Sequence, residues 1–596
     1  MCRINGWIDK SEKFSEADGL RMRDAMQHGG PDGAGYYKSS DEEVHFGHRR
    51  LSLIDLSEAS NQPMLDREAQ IALVFNGEIY NFKELREELN KLGHTFHTTG
   101  DTEVILEAYK EWGTDAFSRF NGMFAIAIHD PNKHQLILAR DHAGIKPLYY
   151  YIDHERLIFA SEIRAFKALN PKWEENPDWK KYFLLFGFLP EPITTLDSVQ
   201  PLKKGTLLNI DTRSLSYEVK AFHKFYFNYT ISSEQKAKEL VQKELDDAVQ
   251  RHLISDAPIG LFLSGGIDSS LLTLLAKPYV GEHLQTLSIV FENDKFSEKQ
   301  YQDIIISKTG AKHHSFLVKE KDFKDSIEDI IAAMDQPSND GINSYFICKY
   351  AKEYGLKAVL SGLGADELFG GYQSFNRTKP IHMLRNLPDF MLSVAGVFKD
   401  DKKKKISFLQ IPGGLGEYLF NRGFFIPTQV ARLLDCTEAE VYDLIEQVSL
   451  PLFTEKLSSK ERVSFVEVNL YMQNQLLKDT DYMSMWHAVE VRVPFLDKQL
   501  MNLAYSIHPN VRYNEQLNKH LLIKAFDHVL PEQIWNRPKQ GFVFPFELWM
   551  QHLKMNPPVT KTFNSLYKSL QNGDIHWSRY WCYLLLNQQR IQYVES

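Results

Sequence analysis

The stretch Leu261-Phe-Leu-Ser-Gly-Gly-Ile-Asp-Ser-Ser-Leu271 decides the reading of this chain. Residues 258–263 read as a buried strand, residues 264–268 as a tight polar loop, and Ser269 and Ser270 as the opening of a helix. The adjacent glycines Gly265 and Gly266 let the backbone approach a ligand closely, and a helix N-terminus offers unpaired N–H groups with a partial positive charge. Together these features make a phosphate cradle that includes Ser264. The spacing is not that of a P-loop, because no Gly-Lys-Ser/Thr closes it. Asp268 is instead suited to hold a metal ion beside the phosphates, since Mg²⁺ favours one or two carboxylates plus phosphate oxygens. A plain Gly-Gly turn between strand and helix is the competing reading of the loop alone.

The wording Ser-Gly-Gly-Ile-Asp-Ser-Ser resembles the pyrophosphate loop of the ATP pyrophosphatases. That resemblance implies a parallel sheet with helices on both faces, and cleavage of ATP between its α and β phosphates. Periodicity agrees: residues 284–291, 311–318 and 356–361 read as further buried strands alternating with helical segments. The fourth strand runs into Ser361-Gly-Leu-Gly-Ala-Asp366-Glu367, a second glycine-rich loop. Ligands of such sheets bind beyond the carboxyl ends of the strands, so the two loops are expected to face one nucleotide. By the resemblance Asp268 and Asp366 bind Mg²⁺, Ser361 and Gly362 contact ATP, and Phe262 and Ile289 line the adenine pocket. The plain alternative for Asp366 and Glu367 is a solvated helix start, where acids suit the dipole.

A chain of 596 residues is too long for one core and is expected to form several domains. Hydrophobic residues make up 43% and charged ones 25%, as in ordinary globular proteins. A net charge of −9 lacks the basic footprint of a nucleic-acid binder, and no apolar run is long enough for a membrane span. The start of the chain does not read as a signal peptide, and four scattered cysteines form neither a metal pattern nor a disulfide framework. The expected location is therefore cytoplasmic, with reduced thiols.

Cys2 follows the first methionine, and removal of that methionine places a thiol and a free α-amine on one residue. Such an amine, with an unperturbed pKa of about 7.7–8.0, can serve as base for the nucleophile. Downstream stand His28-Gly-Gly-Pro-Asp32, Gly47-His-Arg-Arg50, Phe75-Asn-Gly-Glu78 and Thr99-Gly-Asp101-Thr-Glu103. In this order they resemble the class II glutamine amidotransferase domain, one of the N-terminal nucleophile (Ntn) hydrolases, over about the first 200 residues. The resemblance implies stacked antiparallel sheets flanked by helices, with Cys2 attacking the side-chain amide of glutamine. It also implies that Arg50, Glu78 and Asp101 bind the glutamine, and that Asn76 and the Gly77 N–H form the oxyanion hole. A guanidinium fork suits a carboxylate, an Asp suits an ammonium, and fixed donors suit a developing oxyanion. Two positions depart from the family pattern: Arg3 stands where a glycine is usual, and Gly29 where an arginine is usual. Short apolar runs from 122 to 165 read as an antiparallel meander.

Leu477-Lys-Asp-Thr-Asp481, the run from Met483 to Asp497, and Arg537-Pro-Lys539 resemble the asparagine synthetase family. By that resemblance Lys539 is a catalytic candidate, as a fixed positive charge on the adenylate or the leaving pyrophosphate. Residues 375–470 read as amphipathic helices, and the lysine run 402–405 as a solvated loop. The expected organisation is a glutaminase domain over 1–205, a linker over 206–231, and a synthetase-like ATP-pyrophosphatase domain over 232–596.

The combined expectation is an α/β enzyme that makes asparagine from aspartate. ATP and Mg²⁺ activate the carboxylate as an acyl-adenylate, and glutamine supplies the ammonia through a protected passage. Family members often carry a glutamate directly after Ser-Gly in the second loop, whereas this chain has Leu363 at that adenylate-site position. The alternative acceptor is therefore another carboxylate, such as a sugar uronic acid, with the segment 335–343 as a candidate for setting the choice. A non-catalytic scaffold and a bare glutaminase are the contrasting readings, and intact Cys2, Asp101, Asp268 and Asp366 weigh against the first. The expected partners are small molecules, with no nucleic acid or membrane, and a homodimer is left open.

Overall fold

A computed structural model describes residues 2–40, 43–66, 70–169, 172–291, 298–385, 387, 388, 392, 401–448, 457–538, 545–555, 561–586 and 591–593. The N-terminal part holds two six-stranded antiparallel sheets. In spatial order the first runs Gln200–Pro201, Tyr149–Ile152, Arg156–Ala160, Cys2–Asp9, Val44–Arg50 and Gly33–Lys38. The second runs Tyr217–Ala221, Thr206–Asp211, Gln135–Arg140, Gly122–Asp130, Ile71–Ile79 and Met64–Asp66.

Strand period two explains how the layers stack. Ile4 and Ile8 of the first sheet meet Ala72 and Val74 of the second in one buried cluster. On the opposite face Trp7 packs against Met22 of the helix Glu16–Asp24. Ile71, Leu73 and Phe75 cover the helices Phe82–Lys91 and Asp101–Trp112. The order is helix, sheet, sheet, helix, as the Ntn-type expectation requires. By the same alternation Cys2 and Asn76 share the inter-sheet face, and Arg3 is turned the other way.

The apparent meander of 122–165 divides between the two sheets, its first hairpin in one and its second in the other. The cause is the buried carboxylate of Asp141, which accepts N–H bonds from Ala143, Ile145 and Lys146 at 2.9–3.0 Å and turns the chain. The segment expected as a linker, 206–231, also carries structure. Thr206–Asp211 pairs with Gln135–Arg140, and Tyr217–Ala221 pairs with Thr206–Asp211.

The helix Glu234–His252 leads to a five-stranded parallel sheet. Its order is Lys312–Leu317, Gln285–Val290, Ile259–Phe262, Ala358–Leu360 and Glu490–Arg492. The last strand escaped sequence reading because Glu-Val-Arg has no strand signature; buried Glu490 and Arg492 pair at 2.5 Å and so satisfy each other. The described residues within 375–470 are largely helical, as expected, and include Gly413–Arg422, Pro427–Leu434 and Glu438–Gln447. The lysine run is not a loop: Asp401–Lys404 is helical and Lys405–Gln410 continues as a 3₁₀ turn. From Glu467 to Leu476 the chain winds as a π-helix before the helix Leu477–Trp486, a form that recurs beside functional sites. Among the described residues no helix is long and apolar enough to cross a membrane.

Leu287 sits in the middle of the parallel sheet, fully buried against Leu356, Val359 and Val491. Leu287→Ala is expected to cost the synthetase part about 2–5 kcal/mol, read as an earlier denaturant midpoint for that transition.

Candidate active sites

The first site forms where the two antiparallel sheets face each other. Cys2 pairs in register with Arg50 and is buried, and its backbone N–H donates to Asn76 Oδ1 at 3.2 Å. Burial pushes the Cys2 thiol up and so favours its neutral form. Asn76 Nδ2 is buried and, among the described residues, meets no acceptor, which leaves a donor free beside Cys2. Gly77 is required sterically: with φ +152°, a Cβ there would lie 2.0 Å from the Met123 carbonyl oxygen. Arg50 is held by the loop that follows it, donating at 2.7 Å to the Ser57 carbonyl and to Asn61 Oδ1. Asp101 opens the helix Asp101–Trp112 and accepts from the Ile79 N–H at 2.9 Å; burial pushes its carboxyl up to about 6. Glu78 is also buried and raised by burial, and it stands 3.3 Å from Arg492 of the parallel sheet.

The second site is a cavity of about 350 Å³ beyond the carboxyl ends of the parallel strands. Phe262 and Ile289 line it from the strands, and Ser264, Gly266, Asp268 and Ser269 line it from the first loop. The second loop adds Ser361, Gly362, Leu363 and Asp366. The loops touch: a Cβ on Gly362 would lie 2.7 Å from the Asp268 Cβ. Ser264 and Ser269 tie the first loop to its helix through their hydroxyls, 3.0 Å apart. Two of the expected ATP-binding positions, Gly265 and Ser270, do not line the cavity. Gly265 shapes the loop with φ +84°, and Ser270 is wholly buried in the helix Ile267–Val280.

Asp268 and Asp366 converge on one cation, the buried Lys519, at 2.5 and 2.6 Å. Lys519 was not singled out from the sequence, where nothing in Asn518-Lys-His-Leu distinguishes it. Two carboxylates on one cation position fit a metal that takes the rest of its oxygens from phosphates and water, as Mg²⁺ does. Among the described residues no group of three or more His, Cys, Asp or Glu forms an all-protein metal cage. Lys539 lies outside the described residues. Other acids share the cavity: Asp340, Glu367 and Asp479. Burial raises Glu367 to about 7, helped by neighbouring Asp366, and it accepts from the Tyr372 hydroxyl at 2.6 Å.

The segment 335–343 divides its labour. Asp340, Gly341 and Asn343 line the cavity, whereas Asp335 accepts from the Ile163 and Arg164 N–H groups at 2.6 and 2.8 Å, at the start of a helix in the N-terminal part. A much smaller cavity, about 10 Å³, is lined by Ile145, Lys146, Asp481 and Val493 and shares Thr480 and Val491 with the large one.

Comparison with known proteins agrees with this two-part layout. A model of the glutamine amidotransferase domain matches residues 1–226, and a model of asparagine synthase matches residues 240–572. Asparagine synthetase [glutamine-hydrolyzing] 1 of Bacillus subtilis (strain 168) is 33% identical, over 97% of this chain and 91% of its own. Putative asparagine synthetase [glutamine-hydrolyzing] 2 of Methanocaldococcus jannaschii is 35% identical, over 66% of this chain and 79% of its own. Among solved structures, glutamine phosphoribosylpyrophosphate amidotransferase from B. subtilis overlaps 53% of this chain and 81% of its own at 16% identity, with a TM-score of only 0.30. The chain belongs to the asparagine synthase family, with an N-terminal glutamine amidotransferase domain.

Proposed function

We propose that this protein is a glutamine-hydrolysing asparagine synthetase, with a glutaminase domain over 1–205 that extends through the paired strands to Ala221, and a synthetase domain from 232 onward. The observation that carries the reading is the convergence of Asp268 and Asp366, from two glycine-rich loops, in the lining of one cavity. The nucleophile strand supplies the other half of the chemistry.

In the glutaminase half, Cys2 Sγ attacks the glutamine amide carbon after giving its proton to the free α-amine. Asn76 Nδ2 and the Gly77 N–H hold the oxyanion, and release of ammonia leaves a thioester that water hydrolyses to glutamate. Arg50 pairs with the substrate carboxylate and Asp101 with its ammonium. Glu78 stands beside this pair and is steadied by Arg492.

In the synthetase half, the Gly266 loop and the start of the helix Ile267–Val280 cradle the phosphates, and Phe262 and Ile289 enclose the adenine. Asp268 and Asp366 would hold Mg²⁺, whose bound charge neutralises the phosphates. Lys519, now between the two carboxylates, and Lys539 supply cationic charge towards pyrophosphate. The acceptor carboxylate attacks the α-phosphorus, pyrophosphate leaves, and ammonia then displaces AMP. Only neutral ammonia is nucleophilic, so the small cavity beside Thr480 and Val491 supports a passage shielded from water.

Aspartate is the acceptor this reading favours. Leu363 lines the cavity and cannot carry a proton, but Glu367 in the same cavity has a carboxyl near neutrality and can take that role. The second reading, a larger carboxylate such as a uronic acid, rests on Leu363 itself.

Pyrophosphate release from ATP with Mg²⁺ and glutamine, measured across a panel of acids, is expected to depend on aspartate and to match asparagine one for one. Release with another acid and silence with aspartate would move the protein to the second reading. Cys2→Ala is expected to abolish glutamine-dependent product while leaving ammonia-dependent product intact. Because Asp101 must be ionised to grip an ammonium and its carboxyl lies at about 6, glutaminase kcat/KM should fall as pH drops through that value. Asp101→Asn should remove this acid limb and lower kcat/KM by about 10- to 100-fold, the worth of one hydrogen bond to a charged group.

A further inference from the structure

Two of the positions that depart from the family pattern, Arg3 and Gly29, touch each other. A Cβ on Gly29 would lie 2.9 Å from both Cγ and Nε of Arg3, tighter than a real contact allows. Arg3 cannot give way easily, because both ends of its guanidinium are held. Its Nε donates to Glu162 Oε1 at 2.5 Å, and its NH2 group lies 2.9 Å from Asp481 Oδ2. All three side chains are buried. No positive φ disfavours a side chain at position 29, so the space taken by Arg3 is what requires glycine there. A side chain at position 29 would therefore claim the space that the Arg3 side chain now fills.

This packing has a mechanical consequence. Arg3 follows the nucleophile directly, and Asp481 lies on the helix Leu477–Trp486 of the synthetase part. Asp481 also lines the small cavity that shares Thr480 and Val491 with the large one, with Lys146 Nζ 3.7 Å away. Glu162, on the other side, lies 3.1 Å from Nε2 of His28, which shares the 3₁₀ turn Gln27–Gly29 with Gly29. One side chain thus ties the strand that carries Cys2 to the wall of that small cavity.

We propose that Arg3 is a positioning residue that couples glutamine hydrolysis to amide formation, in place of an arginine at position 29. This rests on the proposed two-site reading, which has its own test: ammonia-dependent pyrophosphate release by the unaltered protein. The coupling is read as glutamate formed per pyrophosphate released, in full-length Arg3→Gly, Gly29→Arg and the double variant Arg3→Gly/Gly29→Arg. The unaltered protein is expected to give a ratio near one. Arg3→Gly should raise it several-fold while ammonia-dependent release stays within twofold, and Gly29→Arg should raise it as well. The double variant should bring the ratio back towards one, because a single guanidinium again bridges Glu162 and Asp481. A ratio that stays near one in Arg3→Gly would overturn the proposal. So would a double variant that keeps ammonia-dependent release but remains uncoupled, or one that does not fold. If Arg3→Gly alone does not fold, the double variant decides by the same two outcomes. Absence of ammonia-dependent release in the unaltered protein would instead sink the two-site reading.

Discussion

Charged groups removed from water must be paired, and this one requirement holds the two halves of the molecule in register. The boundary between them is crossed by ions: Arg3 to Asp481, Lys146 to Asp481, and Arg492 to Glu78. Taking one partner from such a pair leaves an uncompensated buried charge and costs about 3–5 kcal/mol, far more than a surface pair is worth. A dry apolar contact would tolerate sliding, since hydrophobic burial has no direction. Carboxylate and guanidinium do not tolerate it, so the angle between the halves is fixed where the chemistry needs it fixed.

That rigidity suits a reaction in two places. In the proposed reaction, ammonia released at Cys2 has to reach the adenylate as a neutral molecule, and contact with bulk water at neutral pH protonates most of it. In the contact region Asp481 and Val491 are buried, Thr480 is half-buried, and the cavity they line is only about 10 Å³. Hydrogen bonds close it further: Asn121 to Asp497, His142 to the Leu496 carbonyl, and Lys498 to the Phe120 carbonyl. Each joins a residue of the antiparallel sheets or their loops to the segment after the strand Glu490–Arg492.

The large cavity depends on a different constraint, the way parallel strands end. Ile259–Phe262 and Ala358–Leu360 are neighbours in the sheet, so the loops that leave them emerge side by side. Glycine at 362 lets the second loop lie against Asp268, and the two carboxylates then arrive at one point. Lys519 fills that point electrostatically, with its ammonium held firmly in the charged form by both carboxylates despite burial.

Much of this was legible along the chain because local signals carried it. The phosphate loop, the first four parallel strands and the helical stretch after 375 follow from glycine placement and apolar periodicity, which need no distant partner. The order of the amidotransferase motifs placed Cys2, Arg50, Asn76 and Asp101 near one another before any coordinate did. What tertiary structure alone decided is everything set by contact between distant residues. The strand Glu490–Arg492 looks polar because its charges are neutralised by each other and by Glu78, some 400 positions away. The meander splits into two sheets because Asp141 turns the chain inside the core. Lys519 is silent in sequence because its meaning lies in two aspartates contributed by other loops. Arg3 and Gly29 read as two unrelated departures in sequence; only packing shows that one side chain occupies the space of both.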